Sequence, residues 1–338
     1  RIIHCELHCS SLGVVSSSEN TLYICNNSLS SVIAIRVLPA ETLIKMKHSV
    51  IGLDDFSGGF PDNNPTEMNF YQGSITDVNL VNDLFERYKF DYVFHFAGIG
   101  DIVPSIENPI KYLDANIIGT AKVLEAAKKA SVKKFIYSAS SSCYGIAKTP
   151  TTEEDIINPL YPYAMSKYLG EKLCFHWYKL YKLPVNSIRI FNAYGPRVKT
   201  SGVYGAVFGV FLAQKLSGVP YTVVGDGEQT RSFMYIDDCI TGLDKLMNSD
   251  FSDPINLGRS ELVSINQMID MISEIAGVEV ERVHNLDAPQ GVRGRNSDNT
   301  LILDKLGWEP EVDLRAGLAK TYAWIEEQVE KSLIKSEQ

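Results

Sequence analysis

Tyr163 and Lys167 stand four residues apart in Tyr163-Ala-Met-Ser-Lys167, a spacing that sets a phenol and an ammonium on one face of a helix. A cation beside a phenol favours the phenolate. Lowering a pKa near 10 by two units takes roughly 2.7 kcal/mol of differential interaction, within what a buried neighbouring charge supplies. Tyr163 then reads as a general base working near neutral pH. Tyr168/Lys172 and Tyr178/Lys182 repeat the spacing in the same stretch, so spacing alone does not choose among them. Context does. Tyr163 follows the helix-start punctuation of Pro159 and Pro162, and it comes after the run Ser138-Ala-Ser140-Ser-Ser142-Cys143-Tyr144-Gly145. Hydroxyls of Ser140 and Ser142 at a strand exit suit bonding to a reacting alcohol or ketone and relaying its proton to the tyrosine.

The elements that must hold these groups are legible from Lys47 onward, where apolar β-type runs alternate with amphipathic helices, the pattern of a parallel sheet covered on both faces. Strands are expected at 49–53, 91–96, 133–138 and 186–191, and helices at 77–88, 108–130 and 163–181. In the second helix the expected buried stripe is Leu113, Ile117, Thr120, Ala121, Leu124 and Ala127. After Gly195-Pro196 glycine-rich loops and shorter elements read as a smaller domain over the carboxyl ends of the sheet. The fold class is therefore α/β, a Rossmann-type doubly wound parallel sheet with a smaller, interleaved C-terminal substrate domain. The expected division is 40–192 and 193–338, with 235–258 returning to the first domain and a last helix near 313–334.

Composition excludes several classes of function. The chain of 338 residues is 45% hydrophobic, enough for a large core, and its formal net charge is −9 without a basic block, against nucleic acid or an anionic membrane as partner. Of its six cysteines only Cys5 and Cys9 are close together, so neither a disulfide framework nor a metal site is expected. No apolar run is long enough to span a bilayer, and a cytoplasmic setting is the expectation.

These motifs together resemble the extended short-chain dehydrogenases that act on nucleotide sugars, particularly the UDP-glucose 4-epimerase group. The resemblance rests on Val50-Ile-Gly-Leu-Asp54-Asp55, His95-Phe-Ala97-Gly98, Asn116-Ile-Ile-Gly-Thr120, the serine run, Tyr163/Lys167, Arg189-Ile-Phe-Asn192-Ala-Tyr-Gly-Pro196, Gly225-Asp-Gly-Glu-Gln-Thr-Arg231 and Pro254-Ile-Asn-Leu-Gly258. It implies an NAD-dependent epimerase that works through a transient 4-keto sugar, with a UDP- or GDP-sugar as substrate and a homodimer as the assembly. It implies that Asp54 holds the adenosine ribose, that Ser74 and Ile75 flank the adenine, and that Ala97, Gly98 and Asn116 line the cofactor. Lys167 would hold the nicotinamide ribose, and Ser140, Ser142 and Tyr163 the reacting hydroxyl. Asn192, Arg231, Arg293 and Arg295 would take the sugar diphosphate. An acid at the ribose position favours NAD over NADP.

The far end, especially Gly291-Val-Arg293-Gly-Arg295-Asn-Ser-Asp298, is similar to GDP-mannose 3,5-epimerases, which keeps that activity open as an alternative. That enzyme's acid/base cysteine falls at Ser142, one place before Cys143, and its lysine near Gly205. The 4-epimerase needs neither. Counting back from Asp54 places the expected glycine turn near 30–36, where no glycine stands, and Pro39 interrupts the helix that should follow. Residues 1–39 thus read as an anomalous segment, foreign or diverged, in place of the usual first strand and glycine loop. A catalytically silent sugar-nucleotide binder is the corresponding alternative.

Overall fold

The computed structural model describes residues 20–24, 40–57, 64–197, 220–277, 279, 281–287 and 292–336. In chain order its strands are β1 (Asn20–Ile24), β2 (Ser49–Asp54), β3 (Asn69–Gln72), β4 (Tyr92–His95), β5 (Lys134–Ser140), β6 (Val185–Ile190), β7 (Ala193–Tyr194), β8 (Tyr221–Val224), β9 (Thr230–Arg231), β10 (Met234–Tyr235), β11 (Pro254–Leu257), β12 (Val263–Ser264), β13 (Arg282–Asn285) and β14 (Gly294–Arg295). Seven of them form one sheet in the order β11-β6-β5-β4-β1-β2-β3, every neighbouring pair parallel. The strand order reverses between β1 and β4, the switch point at which open α/β sheets bind ligands outside their carboxyl ends.

The central strands are buried almost throughout because each faces two cores. Val50, Phe94, Ile136 and Ile188 point into one cluster, shared with the C-terminal helices, while Ile51, Val93, Phe135 and Val185 point into the other. Helix α1 (Val78–Tyr88) starts on Asp77, whose carboxylate accepts from the backbone N–H groups of Asn79 and Leu80. Then come α2 (Ile102–Glu107), α3 (Pro109–Leu113), α4 (Thr120–Ala130) and α5 (Pro162–Tyr181). Beyond them lie α6 (Ile236–Met247), α7 (Ile265–Ala276), begun by a Ser264/Gln267 capping box, α8 (Thr300–Leu306) and α9 (Leu314–Ser336). Among the described residues no helix is long and apolar enough to cross a membrane.

Two expectations are corrected here. Asn20–Ile24 forms a strand, lying between β2 and β4, where the reading of 1–39 left none. The five residues carry no glycine and no long apolar run, so nothing local marked them. The turn expected near 30–36 and Pro39 fall outside the described residues. The expected helix 108–130 is α3 and α4 joined by a π-helical turn, Asp114–Gly119. That wider turn rotates the buried face: Tyr112, Ala115, Asn116 and Gly119 lie inside, whereas Leu113, Ile117 and Ala121 are only half-buried. β11 lies beside β6 as the sheet's edge strand.

Candidate active site

The serine run leaves β5 as one 3₁₀ turn, Ser141–Tyr144, begun by Ser140, whose Oγ accepts from the Ser142 N–H at 3.2 Å. The Oγ atoms of Ser140 and Ser142 are 2.7 Å apart. Tyr163 enters on the first turn of α5, with Pro162 at the helix start, and Lys167 follows one turn on; each is 5% exposed. The hydroxyls of Ser140 and Ser142 lie near enough to the Tyr163 phenol to draw its pKa downward, and Ser140, Ser142, Tyr163 and Lys167 come together at the carboxyl end of β5.

Its charge state is not the expected one. Burial pushes Tyr163 up to about 12 against the pull of the two serine hydroxyls, with Asp101 and Cys143 adding to the rise. Burial likewise takes Lys167 down to about 8, although Cys174 and Glu171 pull it upward. Both neutral forms gain, because removing two opposite charges from water outweighs what they recover from each other. A further positive charge at the site would favour the phenolate.

The residues assigned to the cofactor line the same edge of the sheet. Asp54 closes β2 and accepts from the Phe56 N–H at 2.8 Å. Ser74 and Ile75 follow β3, the Ser74 hydroxyl 2.8 Å from that of Thr76 and Ile75 only 1% exposed. Ala97 and Gly98 follow β4. Gly98 has φ +149°, and a Cβ there would lie 2.8 Å from Asn116 Oδ1 and 3.5 Å from Lys167 Nζ, so only glycine leaves the edge open.

Asn116, rotated inward by the π turn, spends its amide on the protein. Its Oδ1 accepts from Ile99 N–H at 2.7 Å, and its Nδ2 donates to Ile99 O at 2.9 Å and to Ser166 Oγ at 2.8 Å. It shapes the loop after β4, where a direct cofactor contact was expected. An acid at the end of β2, an open glycine at the switch point and a lysine beside it fit NAD, whose oxidised nicotinamide carries the missing positive charge.

On the opposite side, β9 and β14 pair in parallel with Arg231 opposite Arg295. Arg231 Nη1 donates to Thr230 O at 2.7 Å and Arg295 Nη2 to Gly145 O at 2.8 Å. Among the described residues neither guanidinium has a carboxylate in ion-pair reach. Burial, then the neighbouring Arg295, lowers Arg231 to about 10; burial also lowers Arg295, which lies in the field of Cys143, Tyr163 and Tyr161. Two half-buried neighbouring cations of this kind suit an anion. Asn192, at φ +32°, donates from Nδ2 to Ser232 O at 2.9 Å beside them. Arg293 does not share this state: its fork is closed on both oxygens of Asp226, at 2.8 and 2.9 Å, on the surface.

Sequence reasoning missed the groups that hold this assembly. Arg189 donates to both carboxylate oxygens of Glu171, at 3.0 and 2.7 Å, and to Tyr144 Oη at 2.7 Å, which joins β6, the catalytic helix and the serine turn. Glu171 continues the four-residue spacing of Tyr163 and Lys167, the one signal that pointed to it. Tyr137, inside an apolar strand run, gave none. Cys143 packs against Tyr144 and Phe191, with burial pushing its thiol up to about 12.

Residues 39–258 match the model of the NAD dependent epimerase/dehydratase family. The chain is 37% identical over 278 residues to a GDP-mannose 3,5-epimerase 1 of Oryza sativa subsp. indica, covering 78% of this chain and 72% of that one. It is 31% identical over 309 residues to a UDP-glucuronate 4-epimerase of Thermodesulfobacterium geofontis, covering 88% and 94%. The structure superposes on a UDP-glucose 4-epimerase of Thermotoga maritima, crystallised with UDP-glucose, with a TM-score of 0.86 at 30% identity, over 92% of this chain and 99% of that one. A UDP-glucuronic acid 4-epimerase of Bacillus cereus, crystallised with NAD and UDP-glucuronic acid, gives a TM-score of 0.82 at 28% identity over 91% and 99%. Motifs, sheet order and the serine–tyrosine–lysine constellation agree with these matches, and the chain belongs to the NAD-dependent epimerase/dehydratase family.

Proposed function

We propose that the protein inverts the 4-hydroxyl of a nucleotide-diphosphate sugar through a transient 4-keto sugar. The observation that carries this reading is the placement of the paired Ser140 and Ser142 hydroxyls at the strand exit near the buried Tyr163, with the buried Lys167 one turn further along the same helix. Asp54, Ile75, Gly98 and Lys167 would hold NAD along this edge, where it would supply reversible acceptance of hydride from C4. Tyr163 takes the proton of the 4-hydroxyl and returns it, and Ser140 and Ser142 keep the oxygen in line and share the proton. Arg231 and Arg295, with Asn192, bind the diphosphate, so the keto sugar turns about a fixed tether and presents its other face.

The 37% identity to the GDP-mannose 3,5-epimerase of rice favours a second reading, inversion at the carbons flanking the ketone. That chemistry needs an acid and a base on opposite faces of the sugar. Cys143 is packed and held protonated, and the position near Gly205 lies outside the described residues. Ser142 offers a hydroxyl only. The 4-epimerase therefore stands first.

The same reading assigns NAD to 40–192 and the nucleotide sugar to 193–338, with 235–258 completing the first domain through β11. It takes a homodimer as the assembly, supported by the exposed apolar residues Ile106 and Ile110 beside Met165 and Leu169 of α5. It takes a reducing cytoplasm as the setting, supported by the free, buried Cys143, Cys174 and Cys239. The test is to denature purified protein, assay released NAD, and screen UDP- and GDP-sugars. About one NAD per chain and turnover that vanishes in Tyr163→Phe but persists in Cys143→Ala are expected. No bound NAD and no uptake on addition would leave the silent-binder reading.

A further inference from the structure

Lys167 is 5% exposed, yet among the described residues its ammonium makes neither a hydrogen bond nor an ion pair. What faces it is an aromatic ring: Nζ lies 4.6 Å from the centroid of Tyr137. That ring cannot swing away. Its hydroxyl donates to the carbonyl of Lys167 itself at 3.1 Å, its ring stacks with His95 at 5.7 Å and 26°, and it fits against Gly170, where any Cβ would collide with the Tyr137 hydroxyl.

We propose that Tyr137 is a positioning residue for Lys167, its ring face holding the ammonium and its hydroxyl fixing the helical turn from which the lysine extends. A cation over an aromatic face gains most where water is excluded, and here the ring takes the place of a carboxylate. A carboxylate at that point would hold the lysine in an ion pair; a ring stabilises the charge while leaving its N–H donors available to the site. The other titratable groups around Lys167 fit this arrangement. Tyr163, Glu171 and Cys174 lie on its own helix, and His95 of β4 is kept neutral because burial takes it down to about 3, so it adds no repulsion. Asn116 and Gly98, from the π turn and the loop after β4, are uncharged.

The catalytic consequence rests on the epimerase reading, but the positioning can be measured without turnover. Protein labelled with [13Cε]lysine, its Lys167 signal assigned by Lys167→Arg, is titrated by NMR in the wild type, Tyr137→Phe and Tyr137→Leu. Tyr137→Phe keeps the ring and is expected to titrate within a few tenths of a pH unit of wild type. Tyr137→Leu is expected to titrate about one unit lower, the shift that corresponds to a desolvated cation–ring contact. If the leucine variant does not fold, Tyr137→Met serves in its place. A leucine variant with the wild-type midpoint, or a phenylalanine variant that falls as far, overturns the proposal and leaves Tyr137 a packing residue. Where the enzyme turns over, the alkaline limb of kcat moves with the NMR midpoint. A wild type without turnover would overturn the functional reading and leave the lysine titration standing.

Discussion

Replacing Arg189 by methionine removes one end of a nearly dry ion pair, Arg189 being 5% and Glu171 2% exposed. The carboxylate of Glu171 keeps only the Ser187 hydroxyl, at 2.9 Å, and Tyr144 loses its guanidinium donor. An uncompensated buried charge costs about 3–5 kcal/mol, so Arg189→Met should lose that much in urea unfolding followed by tryptophan fluorescence. The double variant Arg189→Met/Glu171→Leu removes both charges and restores apolar volume. Its cost should fall to about 1–2 kcal/mol, the worth of the hydrogen bonds lost at Tyr144 and Ser187. The cycle thus predicts a coupling of at least about 2 kcal/mol between the two positions. A single variant within about 1 kcal/mol of wild type, or a double variant as unstable as the sum of the singles, would refute the assignment of this pair as the joint between serine turn and catalytic helix.

Other outcomes follow from the same geometry. Arg231→Met and Arg295→Met should each raise KM for the nucleotide sugar about 10- to 100-fold, as loss of a charge-assisted contact of roughly 1.5–3 kcal/mol implies, with bound NAD unchanged. Arg293→Ala, which breaks only a surface pair with Asp226, should leave KM within about twofold, read from initial rates. Asn116→Ala strands Ile99 N–H and Ile99 O and leaves Ser166 Oγ only its bond to the Tyr163 carbonyl, and should cost about 2–4 kcal/mol in urea unfolding and reduce NAD retention before it affects sugar binding. His95, ordinarily near 6.5, is held down to about 3 by burial and then by Lys167. Below its ordinary pKa the unfolded chain binds a proton that the folded one refuses, so stability is whole above that value and falls with pH down to about 3. Urea unfolding should show a loss of about 2 kcal/mol between pH 6.5 and 5 that His95→Gln lacks.

How much of this was legible beforehand divides by the range of the cause. Strands β2, β4, β5 and β6 announce themselves because a strand covered on both faces carries β-branched and aromatic residues on both sides, and α5 because prolines open it. The juxtaposition of Ser140 with Ser142 and of Tyr163 with Lys167 was legible because they lie within one strand exit and one helical turn, where spacing along the chain is spacing in space. β1 was not legible: its five residues earn their place only through pairing with β2 and β4 on either side. The same holds for the π turn, since no local preference distinguishes Asp114–Gly119 from ordinary helix, and it is this turn that aims Asn116 at Ile99.

By itself the sequence determined the fold class and the grouping of the serine run with Tyr163 and Lys167, because each depends on periodicity or on residues a few positions apart. Tertiary structure alone decided the charge states and the partners. Burial reversed the expected shift of Tyr163, since desolvation depends on everything packed around a group and not on its sequence neighbours. Pairing of β9 with β14 put Arg295 beside Arg231, while Asp226, far from Arg293 in the chain, closed that arginine's fork. Contacts made across long loops cannot be read from local pattern, because the chain's own spacing no longer sets the distance between the groups.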